Sequence, residues 1–421
     1  MAKTLVYQLY PIAWESRGGL QAMTNHLNII KYLGADYVWL SPLYPSPRFD
    51  HGYDVSDYSE IDKRFGTMKD FDAFVKKAHS LGIGVLMDLV LNHTSTEHSW
   101  FKDYPECYCW SDTDRPGWHN LFDNGSAWQY DEERGKYYLH LFHQNQADLN
   151  WFPNGKLNLD LVAMFQTIVR YWNGLHEVDG FRLDVPQVIN KDLTKDQLDL
   201  DDLLVGEQAV KVINAVFRGK YGKKLFLMME CLDPSYGEIT KYYTDRTPIN
   251  FATDMLLKDD APPVIGRLTQ NPQFMLDLES HDSPRYMSRY SSFKPFCPDS
   301  NYDPIGVMLD DCFRHYGLKA FCLYQGQELG LVNPSKEELS DEEMLALDAK
   351  TAMLAKRGES LEELRKTSRA NGRIPLPMDE YDKQLQNPES CLRRMRDTIK
   401  RWKIDPRFVS YDYHLSVDNW V

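Results

Sequence analysis

The chain has 421 residues, of which 43% are hydrophobic and 26% charged, and its formal net charge is −14. This composition indicates a water-soluble globular protein, because no stretch approaches the roughly 18 uninterrupted apolar residues of a membrane span. The negative charge, with no basic stripe to offset it locally, argues against nucleic acid and anionic membrane surfaces as partners.

Short β-like runs alternate with amphipathic helical segments, which is the pattern of βα units around a parallel sheet. Apolar residues recur with helical spacing from Leu20 to Ile30, and Gly34 ends that segment. Thr67 and Asp70 fit a capping box at the start of the second helix. The eight strand candidates are residues 4–9, 36–41, 83–89, 179–185, 225–231, 249–254, 274–279 and 319–324.

Eight strands with intervening helices predict an α/β fold, a (β/α)8 TIM barrel formed by residues 1–93 and 158–405. Residues 94–157 interrupt this rhythm with many aromatic and polar residues, and we expect a short subdomain inserted after the third strand. Residues 334–386 are dense in Glu, Lys and Asp and carry helical stretches, and they predict a long excursion beside the last strand that is ordered only in part. The alternating end of the chain predicts that residues 406–421 start a C-terminal β-domain, which is truncated or absent.

Several of the predicted strands end in a polar or charged residue: Asp88, Asp184, Glu230, and His281 with Asp282. A carboxylate at the end of a buried strand is costly unless it faces a shared polar cleft, and barrels keep their catalytic residues at these strand ends. Paired carboxylates in such a cleft are the equipment of glycoside hydrolysis. The pattern therefore predicts a glycosidase site.

Ordered motifs along nearly the whole chain carry a resemblance to the α-amylase superfamily of retaining α-glucan enzymes, glycoside hydrolase family 13. They are YQLYP at residues 7–11, DHGYD at 50–54, DLVLNH at 88–93, GFRLD at 180–184 and QGQE at 325–328. Within the family the sequence resembles the oligo-1,6-glucosidase and dextran glucosidase branch.

The resemblance implies three catalytic residues. Asp184 is similar to the family's nucleophile, Glu230 to its general acid/base, and Asp282 to the aspartate that grips sugar hydroxyls and distorts the ring. Arg182 would orient Asp184 by charge-assisted hydrogen bonds.

The resemblance also implies a pocket for one glucose unit. His93 and His281 would bind this glucose and Tyr53 would stack on it. Asp50 with Arg369 would close the blind end of an exo-acting site. Read without the motifs, these residues also fit satisfied core histidines or a structural ion pair.

The predictions of linkage preference and of cofactors rest on a few short segments. QADLN at residues 146–150 resembles a motif of the oligo-1,6-glucosidase branch, and Val185 implies a preference for α-1,6 bonds. We assign Asp148 a structural role. The loop at residues 14–20 lacks the Asp-rich, calcium-binding sequence of the branch, so we predict no metal there and no cofactor. Ala370 stands where the family has an aspartate.

The sequence thus predicts a retaining, exo-acting α-glucosidase that hydrolyses α-1,6 bonds of short α-glucan oligosaccharides. Hydrolysis of α-1,4 bonds is left open as a second activity. The alternative is an α-glucosyl transferase, sucrose-active enzyme or phosphorylase that uses the same covalent intermediate. A non-catalytic member that resembles a transporter heavy chain is the other alternative. The oligomeric state is left open.

The cysteine pattern and the start of the chain predict the compartment. The seven cysteines have no regular spacing and fit reduced thiols. Residues 1–4 (MAKT) do not begin a signal peptide. We therefore expect a cytoplasmic protein.

Overall fold

The computed structural model describes residues 3–189, 191–198, 207–218, 221, 224–230, 251–255, 273–290 and 318–404. Eight parallel strands close into a barrel in which each strand pairs with two neighbours and the last pairs with the first. The predicted TIM barrel is therefore confirmed. The strands are β1 (Thr4–Leu9), β2 (Tyr37–Leu40), β3 (Gly84–Val90), β4 (Gly180–Asp184), β5 (Phe226–Glu230), β6 (Phe251–Met255), β7 (Phe274–Asp277) and β8 (Ala320–Tyr324).

The barrel interior is filled by side chains that alternate along the strands. This inner cluster is composed of Val6, Trp39, Leu86, Phe226, Met228, Met275, Ala320 and Cys322. The residues between them face outward and pack against the helices. Because all eight strands run in the same direction, their C-terminal ends, and the polar residues placed there, meet at one end of the barrel.

Helices cover the outside of the barrel. The first predicted helix begins at Leu20 and is followed by Gly34 in the left-handed conformation, with φ of 88°. Thr67 and Asp70 form the predicted capping box. The outer helices are α1 (Leu20–Leu33), α2 (Met68–Ser80), α3 (Leu159–Leu175), α4 (Glu207–Phe217) and the short α5 (Tyr286–Tyr290). Among the described residues, no helix combines the length and the apolar character needed to cross a membrane.

The segment between β3 and α3 forms two small antiparallel sheets. One pairs His93–Ser95 with Gln146–Asp148, and the other contains Trp110–Ser111, Trp128–Asp131 and Lys136–Leu139. An apolar cluster in this segment includes Trp118 and Trp128 and extends to Val185 and Val188, which follow β4. We propose residues 94–157 as the inserted subdomain, between barrel segments 1–93 and 158–405.

The excursion after β8 is more ordered than the sequence predicts. It contains four helices: α6 (Asp341–Leu347), α7 (Ala349–Lys356), α8 (Leu361–Thr367) and α9 (Met378–Gln386). Leu339, Met344 and Ala370 form its small core, so few apolar side chains are enough to order it. Helix α10 (Cys391–Ile404) then returns to the barrel, packing beside α1. Residues 406–421, which we predict to start a C-terminal β-domain, lie outside the described residues.

Candidate active site

Three carboxylates at the C-terminal ends of neighbouring barrel strands meet around one arginine. Arg182 Nη1 donates to Asp184 Oδ1 at 2.6 Å and lies 3.2 Å from both carboxylate oxygens of Asp88. Arg182 Nη2 donates to Glu230 Oε2 at 2.5 Å. The backbone N–H of Val185 donates to the same Glu230 oxygen at 3.2 Å. Neighbouring nitrogens of a single guanidinium group therefore hold Asp184 and Glu230.

Burial sets the electrostatics of this cluster. It raises the pKa of Asp184 and of Glu230, and nearby negative charges add to the effect while Arg182 opposes it. Arg182 is 2% exposed, and its guanidinium lies 4.9 Å from the ring centroid of Trp39. One guanidinium does not neutralise three carboxylates, so the site favours a form in which one carboxyl group keeps its proton.

Tyr53 and His281 stack on each other next to this cluster. The Tyr53 hydroxyl donates to Asp88 Oδ2 at 3.0 Å, and its ring stacks on His281 with centroids 5.1 Å apart. His281 Nδ1 lies 2.8 Å from Gln8 Nε2, and its Nε2 lies 3.1 Å from Asp282 Oδ2. Burial lowers the pKa of His281 to about 3, so this ring is neutral at neutral pH.

Arg369 joins Asp282 to Asp50. Its Nη1 and Nη2 lie 3.2 Å from Asp282 Oδ1 and 3.2 Å from Asp50 Oδ1, respectively. Arg373 Nη2 donates to the same Asp282 oxygen at 2.9 Å, and the Arg369 guanidinium lies 5.0 Å from the Phe122 ring centroid. Burial would raise the pKa of Asp282, but the neighbouring histidine and arginines lower it. For Asp50, burial outweighs the arginines and raises the pKa to about 6.

His93 completes the site from the side of the insertion. Its Nε2 lies 3.2 Å from the backbone oxygen of Tyr53 and 3.0 Å from Gln146 Nε2. Gln146 Oε1 accepts from the backbone N–H of His143 at 2.8 Å, which leaves the Gln146 amide nitrogen to donate to Asp50 Oδ2 at 3.1 Å. Burial lowers the pKa of His93 to about 4.

These contacts connect every residue that the sequence predicts for the site. The network runs from Asp184 and Glu230 through Arg182, Asp88 and Tyr53 to His281, Asp282, Arg369 and Asp50, and reaches His93 through Gln146. The contacts place these side chains together, and their individual roles stay predictions.

Sequence reasoning assigned no role to three residues that support this network. Gln8 and Gln146 stand inside motifs that carried the resemblance, and each contacts one of the two histidines. Their position inside these motifs was the sequence signal that could have identified them. Asp348 binds Arg369 from outside every motif, so only the tertiary structure reveals it.

A lysine ammonium group links the insertion to the barrel next to His93. Lys191 Nζ donates to Asp148 Oδ2 at 2.5 Å and to Asn92 Oδ1 at 2.7 Å. Asp148 Oδ1 accepts from the backbone N–H of Leu141 at 3.2 Å, and Asn92 Nδ2 lies 3.1 Å from His93 Nδ1. In the part of the chain that the structure describes, no group of three or more His, Cys, Asp or Glu is placed to hold a metal ion.

Lys191→Met is expected to lower the free energy of unfolding by about 3 kcal/mol, because it leaves Asp148 buried without its countercharge. Urea unfolding followed by circular dichroism measures the change. Lys76→Met on α2 is the control, since Lys76 is exposed and its removal should change stability by less than about 0.5 kcal/mol. Equal stabilities for the two variants would contradict the structural role of Lys191.

Comparison with known proteins agrees with this geometry. The family model described as "Alpha amylase, catalytic domain" matches residues 9–382. The chain belongs to the alpha-amylase family. It is a glycoside hydrolase of this family and is 32% identical to an oligo-1,6-glucosidase of Heyndrickxia coagulans, with 90% of this chain and 76% of the relative covered. A glucan 1,6-alpha-glucosidase of Streptococcus pneumoniae is 31% identical, with 89% and 75% covered.

Two solved structures share the fold of this chain. The trehalose-6-phosphate hydrolase of Bacillus licheniformis has a TM-score of 0.78 at 27% identity, covering 97% of this family member and 84% of that chain. The isomaltulose synthase of Erwinia rhapontici has a TM-score of 0.81 at 24% identity, covering 96% and 84%. The latter likeness concerns the fold alone.

Proposed function

We propose that this chain is a retaining, exo-acting α-glucosidase that hydrolyses α-1,6-glucosidic bonds of short oligosaccharides, with α-1,4 bonds as a second linkage. The observation that carries the proposal is the binding of Asp184 and Glu230 to neighbouring nitrogens of Arg182. Retaining glycosidases hold their two carboxyl groups about 5–5.5 Å apart, whereas inverting enzymes leave about 6.5–9.5 Å for a water molecule. Sharing one guanidinium favours the shorter separation.

In the first step, the Asp184 carboxylate attacks the anomeric carbon while the Glu230 carboxyl donates its proton to the glycosidic oxygen. An ester bond to Asp184 forms as the bond to the leaving sugar breaks, and that sugar departs as an alcohol. The reaction needs Asp184 ionised and Glu230 protonated. Burial raises the pKa of both carboxyl groups and so favours a proton on the pair, which the proposed mechanism assigns to Glu230.

In the second step, the Glu230 carboxylate takes a proton from water, and the water oxygen attacks the anomeric carbon. The ester bond breaks, Asp184 is released as a carboxylate, and glucose leaves with the configuration of the substrate. Arg182 stays in contact with both carboxylates, so its charge can stabilise whichever of them is ionised.

Exo-action is supported by the Asp50–Arg369 pair. The two side chains lie 3.2 Å apart, and the Phe122 ring packs on the arginine, so this end of the site is filled by protein. Asp50 and Asp282 present carboxylate oxygens that suit the hydroxyl groups of a terminal glucose. A chain that continued past this glucose would have to displace the ion pair.

The α-1,6 preference is supported by the relatives named oligo-1,6-glucosidase and glucan 1,6-alpha-glucosidase. It is also supported by Val185, which directly follows Asp184 and which the resemblance associates with α-1,6 bonds. Its N–H contacts Glu230, and its φ of 31° is unusual for a β-branched residue. Such strain is common at functional sites. Trehalose 6-phosphate is a second candidate substrate, because its hydrolase in Escherichia coli is 29% identical over 90% of this chain.

We also propose a reducing compartment, the cytoplasm. Among the described residues, Cys107, Cys109 and Cys322 are buried free thiols. Burial raises the pKa of Cys107 to about 11 and that of Cys109 to about 12, so both stay protonated and unreactive at neutral pH. The proposed partners are small α-glucan oligosaccharides and not nucleic acid.

Initial hydrolysis rates on isomaltose, maltose, sucrose and trehalose 6-phosphate test this proposal. We expect isomaltose to give the highest kcat/KM, and proton NMR of the fresh product to show α-glucose first. Initial release of β-glucose would overturn retention. A higher kcat/KM for trehalose 6-phosphate would replace the α-1,6 assignment, and transfer of glucose from sucrose to another sugar or to phosphate would replace hydrolysis.

A further inference from the structure

Arg369, at the closed end of the pocket, contacts three carboxylates and not only the two that face the sugar site. Its Nη1 and Nη2 reach Asp282 and Asp50. Its Nε donates to Asp348 Oδ1 at 2.8 Å, its Nη2 lies 2.8 Å from the same oxygen, and its backbone N–H donates to Asp348 Oδ2 at 2.9 Å. Asp348 therefore binds the Nε–Nη2 edge of the guanidinium and the main chain of the same residue.

Asp348 is itself held rigidly. It is 1% exposed and caps α7, where its carboxylate accepts from the backbone N–H and the hydroxyl of Thr351 at 3.3 Å and 2.6 Å. The Ser368 hydroxyl donates to the same carboxylate at 3.1 Å. Burial would raise the pKa of Asp348, but the neighbouring arginines and these hydrogen bonds lower it, so the group is ionised.

The same turn also supports the second arginine of the pocket. The backbone oxygen of Leu347, at the end of α6, accepts from Arg373 Nη1 at 3.1 Å. Arg373 Nη2 reaches Asp282. The junction between α6 and α7 thus contacts both arginines that bind Asp282, although it belongs to the excursion after β8 and to no barrel strand.

We propose that Asp348 is a positioning residue that aims Arg369 into the sugar pocket and thereby sets its affinity for the terminal glucose. Asp348 holds Nε, Nη2 and the backbone N–H, so Nη1 is directed to Asp282 while Nη2 is shared between Asp348 and Asp50. Without this third carboxylate, the guanidinium would turn toward the two pocket carboxylates and occupy the oxygens that sugar hydroxyls need. The inference deepens the proposed function and rests on it.

The test compares Asp348→Asn with a matched control, Asp341→Asn. Asp341 lies on α6 and pairs with Arg365 and with Lys336, each at 2.6 Å, so its replacement breaks ion pairs of the same excursion that include no pocket residue. We expect Asp348→Asn to raise KM for isomaltose at least about tenfold while kcat changes less than about threefold. Asp341→Asn should leave both within about twofold.

Asp348→Ser is the second variant, in case Asp348→Asn folds poorly. Serine keeps an acceptor for the N-terminus of α7 but is too short and uncharged to hold the Arg369 guanidinium. It is expected to show the same rise in KM. A purely structural role of Asp348 would instead lower the melting temperature of the variants and leave KM unchanged, and that result overturns the inference.

Calorimetric titration with glucose separates this inference from the proposed function. Glucose affinity should fall at least about tenfold in both Asp348 variants and stay within about twofold in Asp341→Asn. If no glucoside is hydrolysed by the wild type but glucose binding depends on Asp348, the proposed function fails and the positioning role stands. Unchanged glucose binding in the Asp348 variants overturns the positioning role.

Discussion

Asp184→Asn is expected to lower kcat on isomaltose at least about a thousandfold, because an amide cannot form the ester bond with the anomeric carbon. The change is nearly isosteric, and it also removes the negative charge that Arg182 Nη1 binds at 2.6 Å. Steady-state rates measure the loss. In a second measurement, the wild-type enzyme is quenched during turnover of a slow fluorinated glucosyl fluoride. Mass spectrometry should then locate the sugar on the peptide that contains Asp184.

Asp131→Asn is a matched control for this experiment. Asp131 pairs with Arg134 at 2.8 Å in the insertion, and its replacement should leave kcat within about twofold of the wild type. A sugar adduct on another peptide would contradict the nucleophile assignment. So would retention of more than about a tenth of the activity by the Asp184 variant.

Glu230→Gln should lower kcat on isomaltose about 100-fold to 10,000-fold, because the leaving oxygen then departs without a proton. Burial raises the pKa of Glu230, so the alkaline limb of the wild-type kcat/KM profile should lie above the ordinary carboxyl range. As pH rises through this raised pKa, the proton needed for the first step is lost and activity falls. The variant has no proton to lose there, so its alkaline limb should disappear.

An aryl glucoside with a good leaving group gives the internal control for Glu230. Its leaving group needs no proton, so the variant should form the glucosyl ester at a near-normal rate and then stall, and added azide should restore turnover by attacking without a general base. An unchanged pH profile in Glu230→Gln, or no response to azide, would assign the acid/base role to another residue.

The architecture and the positions of the strand-end carboxylates were readable from the sequence. Strand and helix periodicity are local properties, so the eight strands appear close to their predicted positions, and Asp184 and Glu230 end β4 and β5 as expected. In the charged excursion after β8, the predicted helical stretches are present as four helices, but the excursion was also predicted to be ordered only in part. That prediction was wrong because a few buried residues, such as Met344 and Ala370, give the excursion a core that its overall composition conceals.

The sequence by itself determined the barrel and the strand ends that carry carboxylates, because these depend on periodic patterns and short motifs. Only the tertiary structure decided which charged side chains form ion pairs with one another. Arg182 serves both Asp184 and Glu230, and Asp348, from a distant helix cap, holds Arg369. Such partners are decided by packing, since a buried charge takes whichever opposite charge the fold brings within hydrogen-bonding distance, whatever the separation along the chain.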